Sequence, residues 1–305
     1  MTTYHDPVML AECIEGLNIK PDGTYVDVTF GGGGHAKPIL EKLGKKGRLI
    51  AFDRDEDAQK NALADEHFTL VRHNYRFLKK FLRYYKAIPV DGLLADLGIS
   101  SYQIDEASRG FSIRYDGDLD MRMNRDSSKT AADILNTYSE ADLVSVFSSF
   151  GEIFNSKTLS RRITETRKNK PFKGISDFKN SIVPLAERGN ETQYFAKVFQ
   201  ALRIEVNEEL ESLKEMLLQS AEVIKPGGRL VVMSYHSLED RLVKNLIAKG
   251  RFEGEEEKDV FGNTKGKLFS SLTKKPVEAK EEEINKNPRA RSAKLRIAER
   301  NNGAE

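Results

Sequence analysis

Gly31, Gly32, Gly33 and Gly34 follow directly on a β-branched and aromatic run at 25–30. Glycines let a backbone turn sharply and lie against a ligand, because no Cβ stands in the way. Asp53 closes a second apolar run, 48–52. It stands about 20 residues further on, where such folds carry a carboxylate that accepts hydrogen bonds from a ribose diol. Asp96 closes a third run, 90–95. A glycine turn and two acids at strand ends supply what a nucleoside-containing cofactor needs. Three readings fit these residues. The first is S-adenosylmethionine. The second is a dinucleotide, since Gly31, Gly33 and Ala36 nearly satisfy the nicotinamide fingerprint. The third is a tight turn that binds nothing, with Asp53 an ordinary turn residue.

Those residues need a scaffold that lines up strand ends. Helical segments are expected at 35–43, 56–63 and 77–85, between strands at 25–30, 48–52, 68–71 and 90–95. Strands spaced by helices imply a parallel sheet with helices on both faces. Ligands bind such a sheet outside the carboxyl ends of its strands. After Asp105 strand signals stop for about a hundred residues. Helices are expected there at 130–150 (two short ones), 156–170 and 176–187. Ser139 and Asp142 have the spacing of a capping box. Leu202, Val206, Leu210, Leu213 and Leu217 then mark one long helix at 193–223, stopped by Pro226-Gly227-Gly228. A strand returns at 229–234, a helix at 238–248, and two antiparallel edge strands are expected at 267–272 and 293–297. The acidic stretch 253–259 reads as a loop. The simplest domain scheme is an α/β domain, 1–105 and 206–305, carrying an inserted helical subdomain, 106–205.

Composition narrows the class further. With 39% hydrophobic and 31% charged residues, disorder throughout is excluded. The net charge of +2 says nothing for or against nucleic acid, so only local clustering counts. A single cysteine, Cys13, rules out an intramolecular disulfide and a cysteine-built zinc site. No metal is expected. The first residues lack a basic region followed by an apolar core, and no stretch approaches the roughly 20 apolar residues of a membrane span. A soluble, cytoplasmic protein with no membrane partner is expected.

Longer motifs make the reading sharper. They are His5-Asp6-Pro7-Val8-Met9-Leu10, Thr29-Phe30-Gly31-Gly32-Gly33-Gly34-His35, Phe52-Asp53-Arg54-Asp55 and Asp96-Leu97-Gly98-Ile99-Ser100-Ser101-Tyr102-Gln103. Arg109-Gly110-Phe111-Ser112, Leu119-Asp120-Met121-Arg122-Met123 and Phe199-Gln200-Ala201-Leu202-Arg203-Ile204 follow. Tyr235-His236-Ser237-Leu238-Glu239-Asp240-Arg241 and Asn287-Pro288-Arg289-Ala290-Arg291-Ser292-Ala293-Lys294-Leu295-Arg296 close the series. In this order, from near residue 5 to near residue 300, the chain resembles the bacterial 16S rRNA cytosine-N4 methyltransferase family. The resemblance implies a class I, Rossmann-like methyltransferase sheet, S-adenosyl-L-methionine as cofactor, and 16S rRNA in the small ribosomal subunit or its precursor as partner. It implies cofactor contacts at Gly33, Gly34, His35, Asp53, Tyr75, Asp96 and Gln103. The chain departs from the family where Tyr75 and Tyr235 replace a usual phenylalanine, and where Tyr102 replaces a common proline.

A cytosine amine is a poor nucleophile, since its lone pair is delocalised into the ring. Asp96, or backbone carbonyls near it, is the candidate to orient that amine. His236 is the second catalytic candidate, as a contact to the base or a proton acceptor through water. Its alternative is a structural histidine bonded to the turn, and His35 has a similar alternative as a helix cap. Arg109, Asp120 and Arg122 are expected to shape the substrate mouth, or else to form a buried ion pair holding that loop. Seven Lys/Arg between Lys157 and Lys173, among them Arg161 and Arg162, face one acid, Glu165. That excess favours RNA phosphates over an ordinary solvated face. Lys286, Arg289, Arg291, Lys294, Arg296 and Arg300 make a second basic cluster. Three other functions compete: a nicotinamide oxidoreductase, an RNA-binding assembly factor without catalysis, and a DNA amino-methyltransferase, which needs base flipping.

Overall fold

The computed structural model describes residues 7–254 and 267–302. His5 and Asp6 of the first motif, and 255–259 of the acidic stretch, lie outside the described residues. The strands are β1 (Thr24–Asp27), β2 (Arg48–Phe52), β3 (Phe68–Val71), β4 (Val90–Asp96), β5 (Ile224–Ser234), β6 (Phe269–Ser271), β7 (Val277–Glu278) and β8 (Lys294–Arg300). They form one sheet in the order β3-β2-β1-β4-β5-β8-β6, with β7 also paired to β8. The pairings among β1 to β5 are parallel. Those of β8 with β5, β6 and β7 are antiparallel.

Side chains along a strand point alternately to the two faces, and here both faces are buried. Val26, Ile50, Phe52, Leu93, Ala95, Leu230 and Val232 join one cluster, with Leu78, Leu82, Met216, Leu217 and Leu246 from the helices Leu78–Tyr84, Glu209–Val223 and Ser237–Lys249. Tyr25, Leu49, Ala51, Leu94, Val231 and Met233 join another, with Cys13, Leu17 and Ile39 from the helices Leu10–Leu17 and Ala36–Glu41. This explains why the sequence runs are almost wholly apolar rather than alternating. The strand order reverses at β1 and β4, so their carboxyl ends open the crevice where such sheets bind ligands. With its antiparallel strand slotted between β5 and β6, the sheet is the class I methyltransferase arrangement.

The chain divides into two compact units, and Ile99–Glu209 is the second. That unit is wider than the 106–205 read from the loss of strand signals. Both of its ends lie beside left-handed backbone, at Gly98 (φ 96°) and Glu208 (φ 49°). Glu208 also breaks the expected 193–223 helix into Glu191–Asn207 and Glu209–Val223. The unit packs the helices Ala131–Thr137, Glu140–Gly151, Ser156–Asn169, Ile175–Ile182 and Glu191–Asn207. Ile134, Phe147, Leu159, Ile163, Phe178, Val198 and Leu202 form its separate core. Thr130 and Asp133 make a reciprocal capping box there, while Ser139 Oγ accepts from the Asp142 N–H and donates to the Asp142 carboxylate. No helix among the described residues is long and apolar enough to cross a membrane.

Candidate active site

The rim of the sheet is tied together by side chains at strand ends. Asp27, the last residue of β1, is fully buried. Its Oδ1 accepts from the Thr29 N–H at 3.0 Å and the Thr29 hydroxyl at 3.3 Å. Its Oδ2 is buried with no hydrogen-bond partner. Burial pushes the Asp27 carboxyl up to about 6. The Thr29 hydroxyl in turn accepts from the Asp96 N–H at 2.7 Å, joining β1 to the end of β4.

The glycine turn follows. Gly33 has φ +77°, a conformation L side chains rarely adopt, and a Cβ there would stand 3.2 Å from the Phe30 ring. A Cβ on Gly34 would stand 3.1 Å from Pro7 Cβ. The backbone therefore calls for glycine at Gly33, and a side chain at Gly34 would press on Pro7. Asp53 holds it from the end of β2. Asp53 Oδ2 accepts from the Gly31 N–H at 2.8 Å, and Oδ1 accepts from the Asp55 N–H at 2.8 Å. Burial raises Asp53 to about 6 despite those two bonds. Asn61 Nδ2 donates to the Gly31 carbonyl at 3.1 Å and fixes the turn from a third side.

His35 stands at the start of Ala36–Glu41 but makes no side-chain cap. Its Nε2 lies 3.2 Å from the Val8 carbonyl. A carbonyl can only accept, so Nε2 carries the proton and Nδ1 presents a lone pair. That lone pair lies 3.8 Å from Asp96 Oδ2. Burial lowers the His35 pKa, which keeps the ring neutral. Asp96 Oδ1 accepts from the Tyr235 hydroxyl at 2.8 Å. Burial, reinforced by the Glu239 charge, raises Asp96 to about 7, although the Tyr235 bond pulls the other way. Tyr75, in the short turn after β3, is half-buried against the sheet cluster.

The arrangement connects Gly33, Gly34, His35, Asp53 and Asp96. Asp27 and Tyr235 belong to it as well, and both are absent from the sequence-level site. Asp27 had a signal: an acid inside an apolar strand. Tyr235 had one too, as a departure from the family pattern that adds a hydroxyl. His236 makes the turn contact that its structural alternative describes. It is the N-cap residue of Ser237–Lys249, with Nδ1 3.5 Å from the Glu239 N–H and Nε2 3.3 Å from Glu239 Oε1.

The remaining candidates belong to the helical unit, and each is committed locally. Gln103 Oε1 accepts from the Ser100 N–H at 3.0 Å, and the Gln103 N–H donates to Ser100 Oγ, closing a capping box. Arg109 is 1% exposed and donates to the carbonyls of Arg122 and Met123 at 2.9 and 3.1 Å. Asp120 and Arg122 form a two-point ion pair at 2.9 and 2.7 Å, and Arg122 also donates to the Arg125 and Ser127 carbonyls. All three are bonded within their own loop, as the ion-pair alternative in the sequence describes. Arg161 and Arg162 are exposed on Ser156–Asn169, as are Lys157 and Lys168. Arg162 Nε also donates to the Ser181 carbonyl at 3.1 Å.

Could the rim hold an adenosyl sulfonium? The turn keeps Cβ atoms away from its inner backbone, and Asp53 retains lone pairs beyond its two backbone bonds. Asp96 supplies a carboxylate at the switch point. These residues fit that group. The model of the MraW methylase family matches residues 2–301. A protein from Bacteroides thetaiotaomicron named ribosomal RNA small subunit methyltransferase H is 54% identical, over 98% of both chains. One of the same name from Cytophaga hutchinsonii is 56% identical, over 97% of this chain and 99% of its own. A crystal structure titled a putative rRNA-methylase from Clostridium thermocellum covers 96% of this chain and 98% of its own, at 13% identity and a TM-score of 0.45, too distant to add to the family match.

Proposed function

This chain belongs to the MraW methylase family, and from that membership we propose that it methylates the N4 amino group of a decoding-centre cytidine in 16S rRNA. S-adenosylmethionine is the methyl donor, and when bound it supplies an electrophilic methyl group on a sulfonium. The protein's contribution is positioning, which can supply most of the gain in a displacement of this kind. Gly33 and Gly34 let the backbone approach the cofactor. Asp53 accepts the ribose hydroxyls, and Tyr75 stacks near the adenine. Gln103 acts through the helix cap it completes. Asp96 accepts a hydrogen bond from the amino group, which favours a more tetrahedral nitrogen. The same carboxylate then takes the proton that nitrogen must lose. The observation that carries this reading is Asp96 itself, a rim carboxylate raised to about 7 with one oxygen held and the other facing a neutral histidine. A base matched to neutral pH is what such a step needs.

Arg161, Arg162 and their neighbours on the helical unit hold RNA phosphates. The substrate is the small subunit or its precursor, so the protein works in the cytoplasm. The cofactor assignment is tested by thermal shift. S-adenosylmethionine and its demethylated product raise the melting temperature, by the equivalent of about 2.7 kcal/mol at one hundred times Kd. NAD and NADP do not. Asp53→Ala folds but loses the shift. Stabilisation by NAD instead, or an undiminished S-adenosylmethionine shift in Asp53→Ala, contradicts the assignment.

A further inference from the structure

The hydroxyl of Tyr235 enters the reading above only as the group that holds Asp96 Oδ1. Tyr235 directly follows β5, and its backbone N–H donates to Glu239 Oε2 at 3.0 Å. That bond and the His236 cap fix the start of Ser237–Lys249, so the phenol stands on a rigid support. The ring packs into the sheet cluster that also contains Cys13, Leu94 and Met233. Its hydroxyl donates to Asp96 Oδ1 at 2.8 Å. Across the ring face lies Gly98, where even an added Cβ would stay 3.6 Å from Tyr235.

We propose that Tyr235 is a positioning residue for methyl transfer: its hydroxyl locks the Asp96 carboxylate in one orientation and leaves Oδ2 as the oxygen that serves the amino group. This rests on the reading of Asp96 given above. A carboxylate rotates about its last torsion with little preference, so an unanchored one spends part of its time misaimed. A hydroxyl bond to one oxygen removes that freedom. It also favours the ionised form, the form that can accept a hydrogen bond and a proton. When the proton leaves nitrogen, the N–H electron pair stays on nitrogen and the proton arrives on the carboxylate, so charge balances.

The other groups facing Asp96 cannot substitute. His35 presents a lone pair, not a proton. Asp27 on β1 and Glu239 on Ser237–Lys249 carry like charge, which works against ionisation. The buried Cys13 thiol lies in the same electrostatic neighbourhood and stays protonated, its pKa raised by burial and then by Asp96. Burial raises the Tyr235 phenol as well, so it remains a donor throughout the working pH range. Tyr235 is thus the side chain placed to offset the desolvation of Asp96.

Tyr235→Phe removes only the hydroxyl. We expect kcat to fall roughly tenfold or more, the size of a bond to a charged group, with KM for S-adenosylmethionine and for small subunits within about twofold. Without the bond the Asp96 pKa rises, so the acid limb of kcat moves to higher pH. In an Asp96→Asn background the same change adds no further loss, since both act on one group. A normal kcat and pH profile in Tyr235→Phe, with Asp96→Asn impaired, overturns the proposal alone. Equal losses in both backgrounds also overturn it, because the effect then does not pass through Asp96. Full turnover in Asp96→Asn overturns the reading of Asp96 and the Tyr235 proposal with it.

Discussion

Three rim carboxylates, Asp27, Asp53 and Asp96, are held protonated well above the ordinary range by burial, at about 6, 6 and 7. For Asp96 the folded value lies above the ordinary 3.8 of the unfolded chain. The folded state then binds more protons, so stability falls as pH rises between those values. Asp96→Asn removes this cost while keeping the shape and an acceptor for Tyr235. Its melting temperature should exceed the parent's by a margin that grows from pH 4 to pH 7 and is flat above. Each kcal/mol regained is worth roughly 2–4 °C in a chain this size. A margin that is the same at pH 4 and pH 8 would show that Asp96 is not destabilised by burial. Asp53 and Asp96 were legible in the sequence because each ends an apolar run. Asp27 carried only the weaker signal of an acid within an apolar run, since its spacing does not separate a strand residue from a rim residue. The contact from Tyr235 to Asp96 joins residues 139 positions apart, and no local pattern encodes it.

Elements were legible where periodicity is strong. The buried parallel strands stood out as apolar runs. Boundaries were less so. The break at Glu208 gave no warning, because left-handed backbone is usually marked by glycine or asparagine. The helix Leu10–Leu17 starts after Met9, also left-handed and without a side-chain cap, so it lacked a start signal. The strand expected at 293–297 lies inside the sheet as β8 rather than at its edge. Several family motifs turn out to be devices of the helical unit. Asn207 Oδ1 accepts from the Met123 N–H at 2.8 Å and its Nδ2 donates to the Met121 carbonyl at 2.7 Å. Arg203 donates from Nε and Nη2 to the two carboxylate oxygens of Glu209, each at 2.9 Å. Arg109→Met should therefore strand two carbonyls and cost the helical unit about 2–4 kcal/mol. Hydrogen exchange should rise at 119–123 and in Glu191–Asn207 while β1 to β5 stay protected. Unchanged protection together with lost RNA binding would instead make Arg109 a ligand group.

Across the whole molecule, a net charge of +2 hides an uneven distribution. The fold splits the second basic cluster seen in the sequence: Lys286 and Arg291 are exposed, while Arg296 and Arg300 are claimed by other groups. Arg296 pairs with Asp240 at 2.7 and 3.1 Å, and Arg300 donates to the Ala221 and Leu268 carbonyls. The cations of Ser156–Asn169 stay at the surface: Lys157, Arg161, Arg162 and Lys168. A linear run of Lys and Arg carries no information about which of them a carbonyl or carboxylate will claim. The most direct measurement is transfer of a labelled methyl group from S-adenosylmethionine to small ribosomal subunits from cells lacking this protein, with the product nucleoside identified by mass spectrometry. N4-methylated cytidine at a single decoding-centre position is the predicted product. Label on a ring carbon or a ribose oxygen, or no transfer by folded protein that binds both substrates, would contradict the account.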